Sequence, residues 1–129
     1  MDGRVAARSL AALGHEGRLQ AFRLLAEAGP EGLPAGEVAR RTGALQNTSS
    51  SNLSVLASSG LIAPRRAGRS IFYAVSHEHL AELLAYLVRD CSGVRPDVWA
   101  PFFASLVEAF RAGGAPGDAV PDRPEASCG

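Results

Sequence analysis

The chain has 129 residues, 47% of them hydrophobic, and its 13 cationic side chains, all Arg, balance 13 acids. That is long enough for one buried core, holds no apolar run that could span a bilayer, and its zero net charge taken alone argues against a nucleic-acid partner. The distribution reverses that last point: residues 1–76 carry nine Arg against five acids, and residues 77–129 four Arg against eight acids, so a basic face can meet phosphate while the whole stays neutral.

In chain order, residues 4–13 (RVAARSLAAL) place apolar side chains at helical spacing up to Gly14. MDGRVAARSL lacks the apolar centre of a signal peptide, so the expected address is the cytoplasm. From His15 to Ala28 the set Leu19, Phe22, Leu24, Leu25 and Ala28 forms a second stripe, stopped by Gly29-Pro30. Pro34 suits the first turn of a short helix over 35–42 with Gly43 as its C-cap. A further helix spans about 46–59, with Asn47, Thr48 or Ser49 as candidate caps, Leu53, Val55 and Leu56 as its buried side and Gly60 as its stop. Leu61–Arg65 and Ser70–Val75 read as strands joined at Ala67-Gly68. A long helix over 77–91 carries Leu80, Leu83, Leu84, Leu87 and Val88; a last amphipathic helix runs from Pro96 to about Arg111 with Trp99, Phe102, Phe103 and Phe110. The expected fold class is mainly α with one β-hairpin. Residues 1–112 form one domain, and the Gly/Pro/acid-rich 113–129 is expected to be a disordered tail.

Residues 33–75 hold the informative pattern: a short helix, a tight turn, a helix opening on small hydrogen-bonding side chains, and a ribbon with an Arg-rich tip. A helix-turn-helix followed by a basic hairpin is a shape that grips duplex DNA, the second helix in the major groove and the hairpin on the backbone. Asn and Gln pair bidentately with adenine edges, and Ser and Thr let the helix approach closely. Gln46, Asn47, Thr48, Ser50, Ser51 and Asn52 are therefore assigned to bases or phosphates, and Arg66 and Arg69 to phosphate or the minor groove. The competing readings are a capped Ser-rich surface helix and a solvated hairpin tip.

The order of elements and three segments resemble the ArsR/SmtB family of bacterial winged helix-turn-helix regulators. HEGRLQAFRLLAEAG is similar to the family's second helix through Arg18 and Leu19, although His15-Glu16-Gly17 replaces the usual opening. QNTSSSNLSVLASSGLI resembles its recognition segment through Ser50, Leu53, Leu56, Gly60 and Leu61, with Asn52 where the family usually has His. RRAGRSIFYAVS resembles its wing through Arg66, Gly68, Arg69 and Tyr73. The resemblance implies a homodimer on duplex DNA, built on the first and last helices and acting as a repressor. The aromatic side chains of the last helix serve equally well to finish a monomer core.

The resemblance also allows known effector sites to be compared. Pro34 and Gly36 stand where one two-cysteine site needs its thiols. A zinc site on the long helix maps to His77, His79, Asp90 and Gly93, which lacks a ligand, so no metal is assigned. RDCSGVRPDVW is similar to an arsenic-responsive segment, with Cys91 present and Ser92 and Trp99 where further thiols are expected. Cys91 with its two-fold mate, or with Cys128, would supply two thiolates. These suit a trivalent arsenical with two exchangeable positions, or equally a dithiol redox switch; the alternative is a packed Cys91 and an idle Cys128. Two cysteines so far apart are no disulfide framework, and neither lies in C-x-x-C. No catalytic constellation is present, so no enzyme is expected. The remaining rival is a winged-helix module that binds a protein.

Overall fold

The computed structural model describes residues 1–90 and 95–112. The chain divides into two compact units, Met1–Cys91 and the residues from Ser92 onward. Cys91, Cys128 and the tail 113–129 lie outside the described residues.

In the first unit α1 (Gly3–Leu13) and α2 (Glu16–Ala28) lead through a 3-10 turn, Gly29–Glu31, into β1 (Leu33–Pro34). Then come α3 (Ala35–Thr42), α4 (Gln46–Ser58), β2 (Ile62–Ala67), β3 (Ser70–Val75) and α5 (His77–Asp90). The helix termini show why the chain turns where it does. Asp2 caps α1 by accepting from the Val5 N–H at 2.9 Å. At the other end Arg18 donates through Nε to the Ala12 carbonyl at 2.7 Å and through Nη2 to the Ala11 carbonyl at 3.3 Å. A guanidinium there meets the negative end of the helix dipole. His15 caps α2, its Nδ1 accepting from the Gly17 and Arg18 N–H groups at 3.1 and 3.3 Å.

The hairpin predicted from sequence is present and gains a third strand. The sheet order is β1-β3-β2, antiparallel throughout, with Leu33 opposite Tyr73 and Ile62 opposite Val75. Pro34 has no N–H to give a ladder, so it is tolerable only because β1 is an edge. Gly32 makes the pairing feasible: its φ is +72°, and a Cβ there would sit 2.1 Å from the Tyr73 carbonyl oxygen.

Leu25, Val38, Leu53, Leu56, Leu61, Ile62 and Leu83, each 2% exposed or less, bring α2, α3, α4, β2 and α5 into one core. Two stripes differ from the sequence reading. On α2, Ala21 and Leu25 are buried while Leu19 is 44% exposed; on α4, Val55 is 38% exposed. His77 is exposed, whereas His79 is half-buried. Its Nε2 lies 2.8 Å from the hydroxyl of Ser9, which is wholly buried on α1, and its ring lies against Gly60. Gly60, at φ +93°, leaves room for that ring where a Cβ would lie 2.7 Å from it.

The second unit contributes α6 (Pro96–Ala112). Trp99, Phe102 and Phe103 pack on one another, with Trp99 and Phe102 edge to face at 5.6 Å between ring centroids. Phe102, Leu106, Val107 and Phe110 are exposed.

Candidate nucleic-acid interface

The helix-turn-helix is built from α3 and α4. Gly43 ends α3, its N–H reaching the Ala39 carbonyl at 3.0 Å. Val38 and Ala39 on α3 and Leu53 and Leu56 on α4 are buried, which fixes the rotation of α4 about its axis. Ser49, Asn52, Leu53 and Leu56 recur every three or four residues and form the inner face. The outer face carries Gln46, Asn47, Thr48, Ser50 and Ser51, all exposed as the sequence reading requires of residues that meet DNA.

Asn52 departs from that reading. It is 8% exposed, and its Nδ2 lies against Gly17 at the start of α2, 3.2 Å from where a Cβ would be. On the inner face, its amide is turned toward the start of α2 rather than outward to a base edge. Ser54 and Ser58, which the sequence reading omitted, are exposed. They continue the outer row from Asn47 and Ser51 at positions i, i+4, i+7 and i+11. The phase set by Leu53 and Leu56 was the signal that would have found them. Arg8 of α1 donates to the Ser58 carbonyl at 3.4 Å, holding the end of that row.

None of the candidate caps closes the start of α4. The N-cap is Leu45, with no side-chain hydrogen bond, and Asn47, Thr48 and Ser49 lie inside the first turns. The leading amides therefore face outward with a partial positive charge, an arrangement suited to a phosphate. Ser49 Oγ is buried without a hydrogen-bond partner among the described residues.

The wing is β2 and β3 with Gly68 and Arg69 between them. Its three arginines divide by role. Arg65 is tied to the base: Nη2 donates to the Glu31 carbonyl, and the guanidinium lies 5.1 Å from the centre of the Phe72 ring. Arg66 and Arg69 are exposed at the tip and have no acidic partner among the described residues. They are the charges free to meet phosphate.

On α3 the charges are arranged differently. Glu37 accepts from Arg40, through Nε at 3.1 Å and through Nη2, and from Arg41 Nε at 2.6 Å. Arg40 foremost, and then Arg41, pull the Glu37 carboxyl down to about 2; the same contact raises Arg40. One carboxylate thus offsets part of the positive charge on the first helix of the motif.

Among the described residues no group of three His, Cys, Asp or Glu could hold a metal ion. No helix there is long and apolar enough to cross a membrane. No protein-family model and no curated protein matches the chain. Solved structures do. A homodimeric winged helix-turn-helix DNA-binding domain from Mycobacterium bovis, Mb0332, described as a possible ArsR-family transcriptional regulator, is 34% identical. That match covers 65% of this chain and 75% of the other, with a TM-score of 0.55. The transcriptional repressor BigR from Xylella fastidiosa is 33% identical over 64% of this chain and 81% of its own, with a TM-score of 0.50. An ArsR-like transcriptional regulator from Rhodococcus sp. RHA1 covers 81% of this chain and 92% of its own at a TM-score of 0.63; at 23% identity it shows the shared fold. These relatives are regulators with a DNA-binding fold and not enzymes, and with them this chain belongs to the ArsR family of winged helix-turn-helix transcriptional regulators.

Proposed function

We propose that the protein is a homodimeric repressor, working in the cytoplasm, that binds an operator duplex and leaves it when a thiol-reactive effector arrives. The carrying observation is the exposed row of Asn47, Ser51, Ser54 and Ser58 on α4 beside a wing whose Arg66 and Arg69 have no acidic partner among the described residues. Side chains of the first kind read base edges; free guanidiniums hold the backbone. A protein-binding module would need neither, and its affinity would not fall steeply with salt as phosphate contacts require.

Two half-sites are part of the reading, because one recognition helix reads only a few base pairs. Leu10 on α1 is 43% exposed and Leu84 on α5 is 54% exposed, apolar area that suits a second copy. The homodimeric state of the Mycobacterium bovis relative supports the same assembly.

The effector half rests on the sequence. Cys91 follows directly on Asp90, the last residue of α5, and pairs in this reading with its two-fold mate or with Cys128. Two thiolates chelate a trivalent arsenical where one cannot. The test is release of a fluorescent operator duplex by an aryl trivalent arsenical. Wild type should release it, whereas Cys91→Ser should hold it; Cys128→Ser tells which thiol is the second. Equal release from wild type and both variants would remove arsenical sensing and leave the DNA-binding reading intact.

A further inference from the structure

Leu45 is 77% exposed, and no large apolar side chain among the described residues is more so. A single exposed leucine is ordinary on a protein surface, but this position is not. Leu45 is the N-cap of α4 and makes no side-chain cap. Ser, Thr, Asp or Asn there would satisfy a leading amide, and leucine is among the poorest choices. Nor does it take part in a hydrophobic staple, since the positions that would form one are Ala44 and Ser49. The chain forgoes a cap and leaves a large apolar group in water at the end of the helix that enters the groove. The N-terminal residues of such a helix are the ones that contact base edges.

We infer that Leu45 reads the 5-methyl group of a thymine in the operator. The inference rests on the DNA-binding reading above and adds a base to it. The thymine methyl is the one apolar feature on the major-groove edge, and contact with it distinguishes A·T from the other pairs. Gln46 and Asn47 follow directly and are exposed. Their amides suit the adenine edge of the same or the adjacent pair. The start of α4 therefore reads an A·T pair from both sides: the amides take the purine and Leu45 takes the methyl.

The test uses the full chain and the tightest-binding duplex selected from a randomised library. Each thymine of a half-site is replaced in turn by deoxyuridine, which removes the methyl and leaves base pairing intact. Burying one methyl-sized group contributes about 0.8 kcal/mol, which corresponds to about four-fold in affinity. Wild type should lose about four-fold at one thymine per half-site. Leu45→Ala and Leu45→Ser should bind the thymine and deoxyuridine duplexes equally. Leu45→Ser regains a cap, so its melting temperature should match or exceed wild type, which separates a defect in reading from a defect in folding. Equal binding of both duplexes by wild type at every position, or discrimination retained by the variants, overturns the role of Leu45 alone. Absence of any duplex binding overturns the DNA-binding reading with it.

Discussion

At the scale of single residues, Gly32 is the position where one added carbon does most harm. Its left-handed φ of +72° already strains any other side chain, and the 2.1 Å approach of a Cβ to the Tyr73 carbonyl oxygen would part β1 from β3. Gly32→Ala should cost roughly 3 kcal/mol or more, read as a lower midpoint in urea unfolding; an unchanged midpoint would show that the strand is dispensable. Asn47 and Asn52 give a second contrast. Asn47→Ala should leave stability alone and erode the preference for the operator over random duplex by roughly 1–3 kcal/mol. Asn52→Ala should do the opposite, lowering stability while retaining the preference, because its amide is buried against α2. Competition binding and thermal melting of the two variants decide it. The sequence hid this difference for a physical reason. The run from Gln46 to Asn52 is wholly polar, so it shows no periodicity of its own. The rotation of α4 is set downstream by Leu53 and Leu56, and projecting their spacing backward is what turns Ser49 and Asn52 inward.

At the scale of elements, the charged cluster on α3 shows how one helix moderates its own field. With its carboxyl lowered to about 2 by Arg40 and Arg41, Glu37 stays ionised well below the usual carboxylate range and keeps both arginines engaged. A carboxyl lowered in the folded state stabilises fully above its unfolded value and loses that contribution as pH falls through the folded one. Wild type should therefore lose this contribution between about pH 5 and pH 2, and Glu37→Gln should show a shallower acid decline in that window. Glu37→Gln also frees two guanidiniums, so it should bind random duplex more tightly and with a steeper salt dependence; unchanged binding would place α3 away from phosphate. Element boundaries were largely legible, because Gly14, Gly29-Pro30, Gly43 and Gly60 punctuate the chain at the ends of α1, α2, α3 and α4. β1 was not: two residues, one of them proline, become a strand only when β3 is beside them. Nor were the roles of Arg18 and His79 legible. Their partners, the last carbonyls of α1 and the Ser9 hydroxyl, come within reach only through tertiary packing.

At the scale of the whole molecule, the chain should assemble as a dimer and leave an electrostatic footprint on DNA. Sedimentation velocity at micromolar concentration should find a dimer, and Leu84→Glu, which puts a charge on exposed apolar surface of α5, should give monomers that still fold. A wild-type monomer would leave no basis for two half-sites. The neutral total charge concealed the footprint, which emerges only when the arginines are sorted by partner. Arg23 pairs with Glu27, Arg40 and Arg41 with Glu37, and Arg95 with Asp97, while Arg66 and Arg69 at the wing tip have no acidic partner among the described residues. The most direct measurement is affinity for the selected operator and for random duplex across a series of salt concentrations, with wild type and the Arg66→Ala, Arg69→Ala double variant. Wild-type affinity should fall steeply and linearly on logarithmic axes. The double variant should weaken on both duplexes alike, with a slope for the dimer shallower by about 4, close to one counterion for each of the four guanidiniums removed from phosphate. A flat salt dependence, or a double variant indistinguishable from wild type on both duplexes, would contradict the assignment of α4 and the wing to DNA.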